Sequence, residues 1–158
     1  MNTARLLDLL RDQVLTVSAA ESITGGLVAD ALVSTKGVSS VFCGSAVVYT
    51  DSTKQQVLGV RQSTLDAYTA VSPECASEMA DGAKRLFQSS LSLSTTGFAG
   101  PEGAHVGLCY VGLADEHQTR IWQLKLKGSR NDVRKMVALF AISVLYYKVR
   151  GKQHGIKE

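Results

Sequence analysis

LTVSAAESITGGLVADALVS, residues 15–34, holds the transition on which the fold turns. Leu15 to Ala20 is short, apolar and bounded by polar residues, which suits a strand buried on both faces. The strand ends at Glu21 and Ser22. Thr24 and the Gly25–Gly26 pair stand where a helix can begin, and Leu27 to Ser34 continues it. Glycines there let the backbone approach a ligand closely, and free N–H groups at the helix start favour an anion. The same residues also make an ordinary strand-to-helix turn with a hydroxyl cap, and local pattern does not separate the two.

Upstream, Leu6, Leu7, Leu9 and Leu10 predict an amphipathic opening helix. Downstream, Val41 to Tyr49 is rich in strand formers, with Gly44 marking a bulge or turn. Ser52 to Leu58 and Gln62 to Ala70 read as short helices. Ser72-Pro73-Glu74 is a helix start, with a serine cap, a proline in the first turn and an early carboxylate; that helix runs to about Gln88. Leu91 to Thr95 is a further buried strand, followed by the loop from Thr96 to Pro101. Val106 to Ala114 and Thr119 to Lys127 make a hairpin across Asp115 to Gln118, and a last helix spans Arg130 to Val149. Strands and helices interleave, which predicts an α/β protein: a three-layer α/β/α sandwich with a mixed sheet.

At 158 residues the chain fits one domain, residues 1–158. A composition of 45% hydrophobic and 20% charged residues excludes a disordered class. No apolar run reaches the ~18 residues of a membrane span, and Met1 to Arg11 mixes charge into its leucines, unlike a signal peptide. The cytoplasm is therefore the expected compartment. Cys43, Cys75 and Cys109 are widely spaced, with no CxxC pair and no histidine at ligand spacing, so neither a disulfide scaffold nor a metal is expected. The net charge of +3 gathers toward the C-terminal part, including Lys152 and Lys157. With aromatics scarce among those bases, nucleic acid is not the expected partner; a phosphate or carboxylate explains the cluster as well.

Three segments carry residues able to do chemistry. Gly37-Val38-Ser39-Ser40 is followed by a strand and then by Tyr49 and Lys54. A serine becomes a useful nucleophile when a base takes its proton, and a lysine of depressed pKa can be that base. Singly, though, two serines in a turn are usually turn formers and a helical lysine is usually solvated. The loop holding Gly97, Gly100 and Pro101 follows a strand, where open α/β sheets bind ligands. Arg130 and Arg134 share a helix face and suit an anion, although a solvent-facing pair fits the same spacing.

In order, AESITGG (20–26), GVSSVF (37–42), VVYTDSTK (47–54), LGV (58–60), AVSPECASEMA (70–80) and TGFAGP (96–101) resemble the CinA C-terminal domain family, with GSRNDVRK (128–135) a weaker match. That family includes stand-alone nicotinamide-nucleotide amidohydrolases. The resemblance implies an α/β/α fold and cofactor-free hydrolysis of the carboxamide of nicotinamide mononucleotide, giving nicotinate mononucleotide and ammonia. It implies Ser39 as nucleophile, Lys54 as general base and Tyr49 as an assisting group. It also implies Ser22, Thr24, Gly25 and Gly26 in the loop lining the site, with Gly97, Gly100 and Arg130 holding substrate. The partner is then a small nucleotide, and the family allows a dimer or larger assembly.

The chain departs from the family pattern at three places. Ile23 stands where the family has cysteine, Asp51 where it has asparagine, and the segment after Pro101 is shorter and lacks a Lys-Pro pair. A carboxylate near Lys54 favours its charged form. The competing expectation is thus a relative that binds a nucleotide or a partner protein without deamidating it. A nucleic-acid module is the third, resting on the basic C-terminal part alone.

Overall fold

The computed structural model describes residues 3–152; Met1, Asn2 and residues 153–158, including Lys157, lie outside the described residues, as does the side chain of Lys152. In chain order the elements are α1 (Thr3–Asp12), β1 (Val17–Glu21), α2 (Leu27–Val33), a 3-10 turn (Val38–Ser40), β2 (Phe42–Val47), α3 (Asp51–Leu58), α4 (Gln62–Tyr68), α5 (Pro73–Phe87), β3 (Leu91–Gly97), β4 (Leu108–Ala114), β5 (Thr119–Lys125) and α6 (Arg130–Lys152).

The five strands form one mixed sheet in the order β2-β1-β3-β4-β5. β1 pairs in parallel with β2 and with β3, while β4 and β5 add antiparallel. All five residues of β1 are buried, as expected of a parallel strand covered on both faces. One apolar layer joins leucines of α1, Val28 and Leu32 of α2 and the apolar side of α6 to the sheet. The opposite layer holds Ala20 and Val48 against Leu58 of α3, Leu65 of α4, and Cys75, Met79 and Ala83 of α5. The fold is an α/β/α sandwich.

Local chemistry explains the boundaries. The Ser72 hydroxyl accepts from Cys75 N at 3.1 Å, with Pro73 opening α5. A bulge between Val17/Phe42 and Ser18/Gly44 falls where the sequence placed one. Gly82 lets α5 lie against α3, since a Cβ there would come within 2.2 Å of the Leu58 carbonyl oxygen. β4 begins at Leu108, not at the expected Val106. Gly107 explains the shift: it has φ +87°, and a Cβ would sit 1.9 Å from the Leu126 carbonyl oxygen. No helix among the described residues is long and apolar enough to cross a membrane.

Candidate active site

β1 connects to β2 on one side, and the chain then crosses back to place β3 on the other side of β1. The strand order therefore reverses between β1 and β3, and open α/β sheets bind ligands at the carboxyl ends flanking such a reversal. A cleft of about 300 Å³ lies there. It is lined by Ser22 and Ile23 after β1, Tyr49, Asp51 and Lys54 after β2, and residues 96–100 at the end of β3, with Glu102 and Arg130. That volume is at the small end for ligand pockets, which run to about 300–1,000 Å³.

Glu21 sets the geometry of the first loop. Its carboxylate is fully buried and accepts five hydrogen bonds. One oxygen takes the Thr24 hydroxyl at 2.7 Å and the N–H groups of Gly26 and Val28 at 2.9 and 3.0 Å. The other takes Ala29 N and the Ser45 hydroxyl, both at 2.9 Å. The amino end of α2 is thus occupied by the chain's own anion, which corrects the expectation of free N–H groups there. Thr24 is turned inward onto Glu21 and Thr95. Thr24, Gly25 and Gly26 shape the loop and do not line the cleft. From the far side Arg134 donates to the carbonyls of Ile23 and Thr24, each at 3.1 Å. Glu21→Gln, which turns an amide NH2 toward donors, is expected to lower stability by about 3 kcal/mol or more, read as a fall in the urea midpoint.

Held this way, Ser22 faces Lys54. Thr50 and Thr53 cap α3 reciprocally, with Thr53 N donating to the Thr50 hydroxyl and Thr50 N to the Thr53 hydroxyl. The helix so started points Lys54 inward, where only 2% of the residue is exposed. Its Nζ donates to Ser22 Oγ at 3.2 Å and to the Val48 carbonyl oxygen at 3.1 Å. Burial pushes the ammonium below the ordinary 10.5, while Cys75 and Asp51 act the other way. The Cys75 thiol is itself pushed up to about 11 by burial, so it is uncharged near neutrality and exerts little hold. Asp51 remains as the neighbour that favours the charged lysine.

Ser39 does not join this group. It lies exposed in the turn before β2, whereas Tyr49 and Lys54 follow β2. A strand rises about 3.3 Å per residue. The six residues of β2 therefore hold Ser39 and Lys54 at opposite ends of the sheet. The serine in contact with the lysine is Ser22, previously assigned only to the lining. Of the other residues singled out, Tyr49, Gly97, Gly100 and Arg130 all border the cleft. Arg130 spans its mouth, donating to the Gly100 carbonyl oxygen and to the Tyr49 hydroxyl, both at 2.8 Å. Arg134 is committed to the loop carbonyls, so the two arginines do not act as one clamp. Among the described residues, the backbone N–H groups of Ile23 and Thr24 make no hydrogen bond. The resemblance implies Thr24 in the loop lining the site and marks Ile23 as a departure from the family pattern; the residues just after an activated serine are where such donors are sought.

Fold and site together define a three-layer α/β/α protein whose switch-point cleft joins a serine hydroxyl to a buried lysine. The family described as the CinA C-terminal domain matches residues 2–149, and the chain belongs to it. It is 43% identical over 152 residues to a protein of Caldanaerobacter subterraneus subsp. tengcongensis named as competence-damage inducible, covering 94% of this chain and 37% of that one. A CinA-like protein of Kosmotoga olearia is 43% identical over 141 residues, covering 87% and 34%. The chain spans about a third of the length of these curated relatives. Among solved structures, a competence or damage-inducible protein of Enterobacter asburiae superposes with a TM-score of 0.90 at 30% identity, covering 93% of this chain and 95% of that one. The competence/damage inducible protein CihA of Agrobacterium tumefaciens gives 0.89 at 30% identity, with 94% and 93% covered.

Proposed function

We propose that the domain is an amidohydrolase acting on the carboxamide of nicotinamide mononucleotide or a close analogue, with Ser22 as nucleophile and Lys54 as its base. The observation that carries this reading is the buried Lys54 Nζ, 3.2 Å from Ser22 Oγ on the wall of a cleft. Burial favours the neutral amine, whose lone pair can take the Ser22 proton while the Val48 carbonyl keeps one N–H and fixes the amine's orientation.

Ser22 Oγ then bonds to the amide carbon, and the negative charge on oxygen is met by the unpaired N–H group of Ile23, a residue of the cleft wall. An oxyanion donor is worth about 2.7–4 kcal/mol in the transition state. The protonated Lys54 gives its proton to the amide nitrogen, the C–N bond breaks, and ammonia leaves. Water next attacks the acyl-Ser22 ester, losing one proton to Lys54, and the carboxylic acid departs as Oγ recovers that proton; the acid then gives its remaining proton to the released ammonia in solution. Each proton exchanged with Ser22 moves through one amine, so the cycle returns the site to its starting state.

Arg130 at the mouth supplies the positive charge for a nucleotide phosphate, at the cost of its present bonds to Tyr49 and Gly100. Arg130→Ala is expected to raise KM about tenfold with a much smaller change in kcat, the mark of lost ground-state binding. The direct test is ammonia release from nicotinamide mononucleotide by the purified protein. No release above a Ser22→Ala control would sink the reading. Asp51 favours a second one, in which Lys54 stays charged and the cleft binds a nucleotide without turnover; calorimetric binding with no ammonia would establish that instead.

A further inference from the structure

Two carboxylates border the cleft with no hydrogen bond or ion pair among the described residues. Asp51 opens α3 three residues before Lys54, which sets both on the same side of the helix. Glu102 faces the cleft from the segment after Pro101. Both are exposed, and among the described residues neither makes a hydrogen bond or an ion pair. The long-range side-chain contacts that fix the cleft instead use Glu21, Lys54, Thr96, Arg130 and Arg134. Asp51 and Glu102 are therefore not needed to build the site, yet they set its charge. With Lys54 in the neutral form that a base requires, the lining holds two carboxylates against the single guanidinium of Arg130.

A ligand matching that distribution carries an anionic group toward Arg130 and a cationic group toward the carboxylates. In a pyridine mononucleotide the second charge lies on the ring nitrogen, in the same ring that bears the carboxamide. Resting on the amidase reading above, we propose that Asp51 and Glu102 are specificity determinants that select a cationic, oxidised pyridinium ring over a neutral ring of the same shape. Neither touches the reacting bond. They act on binding, so their effect falls on affinity for the ring's charge state.

The experiment compares oxidised with reduced nicotinamide mononucleotide, which share phosphate, ribose and carboxamide and differ in ring charge. Calorimetry uses the Ser22→Ala protein, so that neither compound turns over. At low salt the oxidised form is expected to bind about three- to tenfold more tightly, as partly exposed charge pairs allow. Adding Asp51→Asn and Glu102→Gln should bring the ratio close to one, and raised salt should narrow it in the parent through screening. A ratio unchanged by the two substitutions, or a parent that binds both forms equally, overturns the proposal and leaves the amidase reading standing if the wild-type chain releases ammonia. Binding of neither form overturns the proposal, and with no ammonia release by the wild-type chain it overturns the amidase reading as well. Melting curves show that each variant is folded, and the salt series on the parent tests the charge effect without any substitution of Asp51 or Glu102.

Discussion

Ser22→Ala is expected to cut ammonia release from nicotinamide mononucleotide by about 10⁴-fold or more, the scale seen when an activated serine nucleophile is removed. Ser39→Ala should change it little. The two variants together test the arrangement of the sheet as well as the chemistry. Ser22 is buried and accepts from Lys54 Nζ, so its loss removes the attacking atom while the rest of the cleft keeps its frame. Ser39 sits exposed in the turn before β2, away from every residue of the cleft. A Ser39→Ala variant as inactive as Ser22→Ala would overturn the assignment. Steady-state rates with both proteins at matched folding, checked by circular dichroism, decide it.

The second large effect is expected at Lys54. Lys54→Met keeps a long unbranched side chain in the buried slot and removes the amine. Loss of a positioned base costs about 10²–10⁴ in kcat, and the rise of kcat with pH that reports loss of the Lys54 proton should vanish with it. Stability moves the other way. The folded chain holds the Lys54 pKa below 10.5, so in the window between the folded value and 10.5 the unfolded chain binds more protons. Stability accordingly rises with pH across that window, and the penalty for burying the charge is felt in full below it. Lys54→Met removes the penalty and should raise Tm at neutral pH while lowering kcat by that factor. A drop in both would mean that Lys54 is held chiefly as a structural cation.

Much of the fold was legible because its signals are local. The leucines of α1, the Ser72-Pro73 start of α5 and the apolar β1 each declare themselves within a few residues, and all lie where the pattern placed them. The boundary at β4 was not legible, because it depends on how closely Gly107 meets Leu126, a contact across the hairpin. The site was half legible for the same reason. Lys54, Tyr49, Gly97, Gly100 and Arg130 follow strands or open a helix, and the structure gathers them at one rim.

Choosing between two serines required the direction of β2. Ser39 is nearer to Lys54 along the chain, but it precedes β2, while Ser22 follows β1, which runs parallel to β2. Two residues that follow parallel neighbours share an end of the sheet; one that precedes a strand does not. The βαβ pattern alone carries that rule, since it makes neighbouring strands parallel. The buried role of Glu21 was less accessible. Nothing in a lone glutamate at the end of a strand announces that it will take the place of an external anion at α2.

Arg134 reaches back from α6 to the carbonyls of Ile23 and Thr24, more than a hundred positions earlier in the chain. The loop that carries Ser22 is thus completed by the last described helix. Along the chain β1, β2, β3 and the hairpin of β4 and β5 all precede α6. A nascent chain halted before residue 130 already contains Ser22, Tyr49 and Lys54, yet lacks the guanidinium that sets the loop. Under the proposed amidase chemistry, a chain lacking α6 is expected to carry Ser22 and Lys54 without turnover.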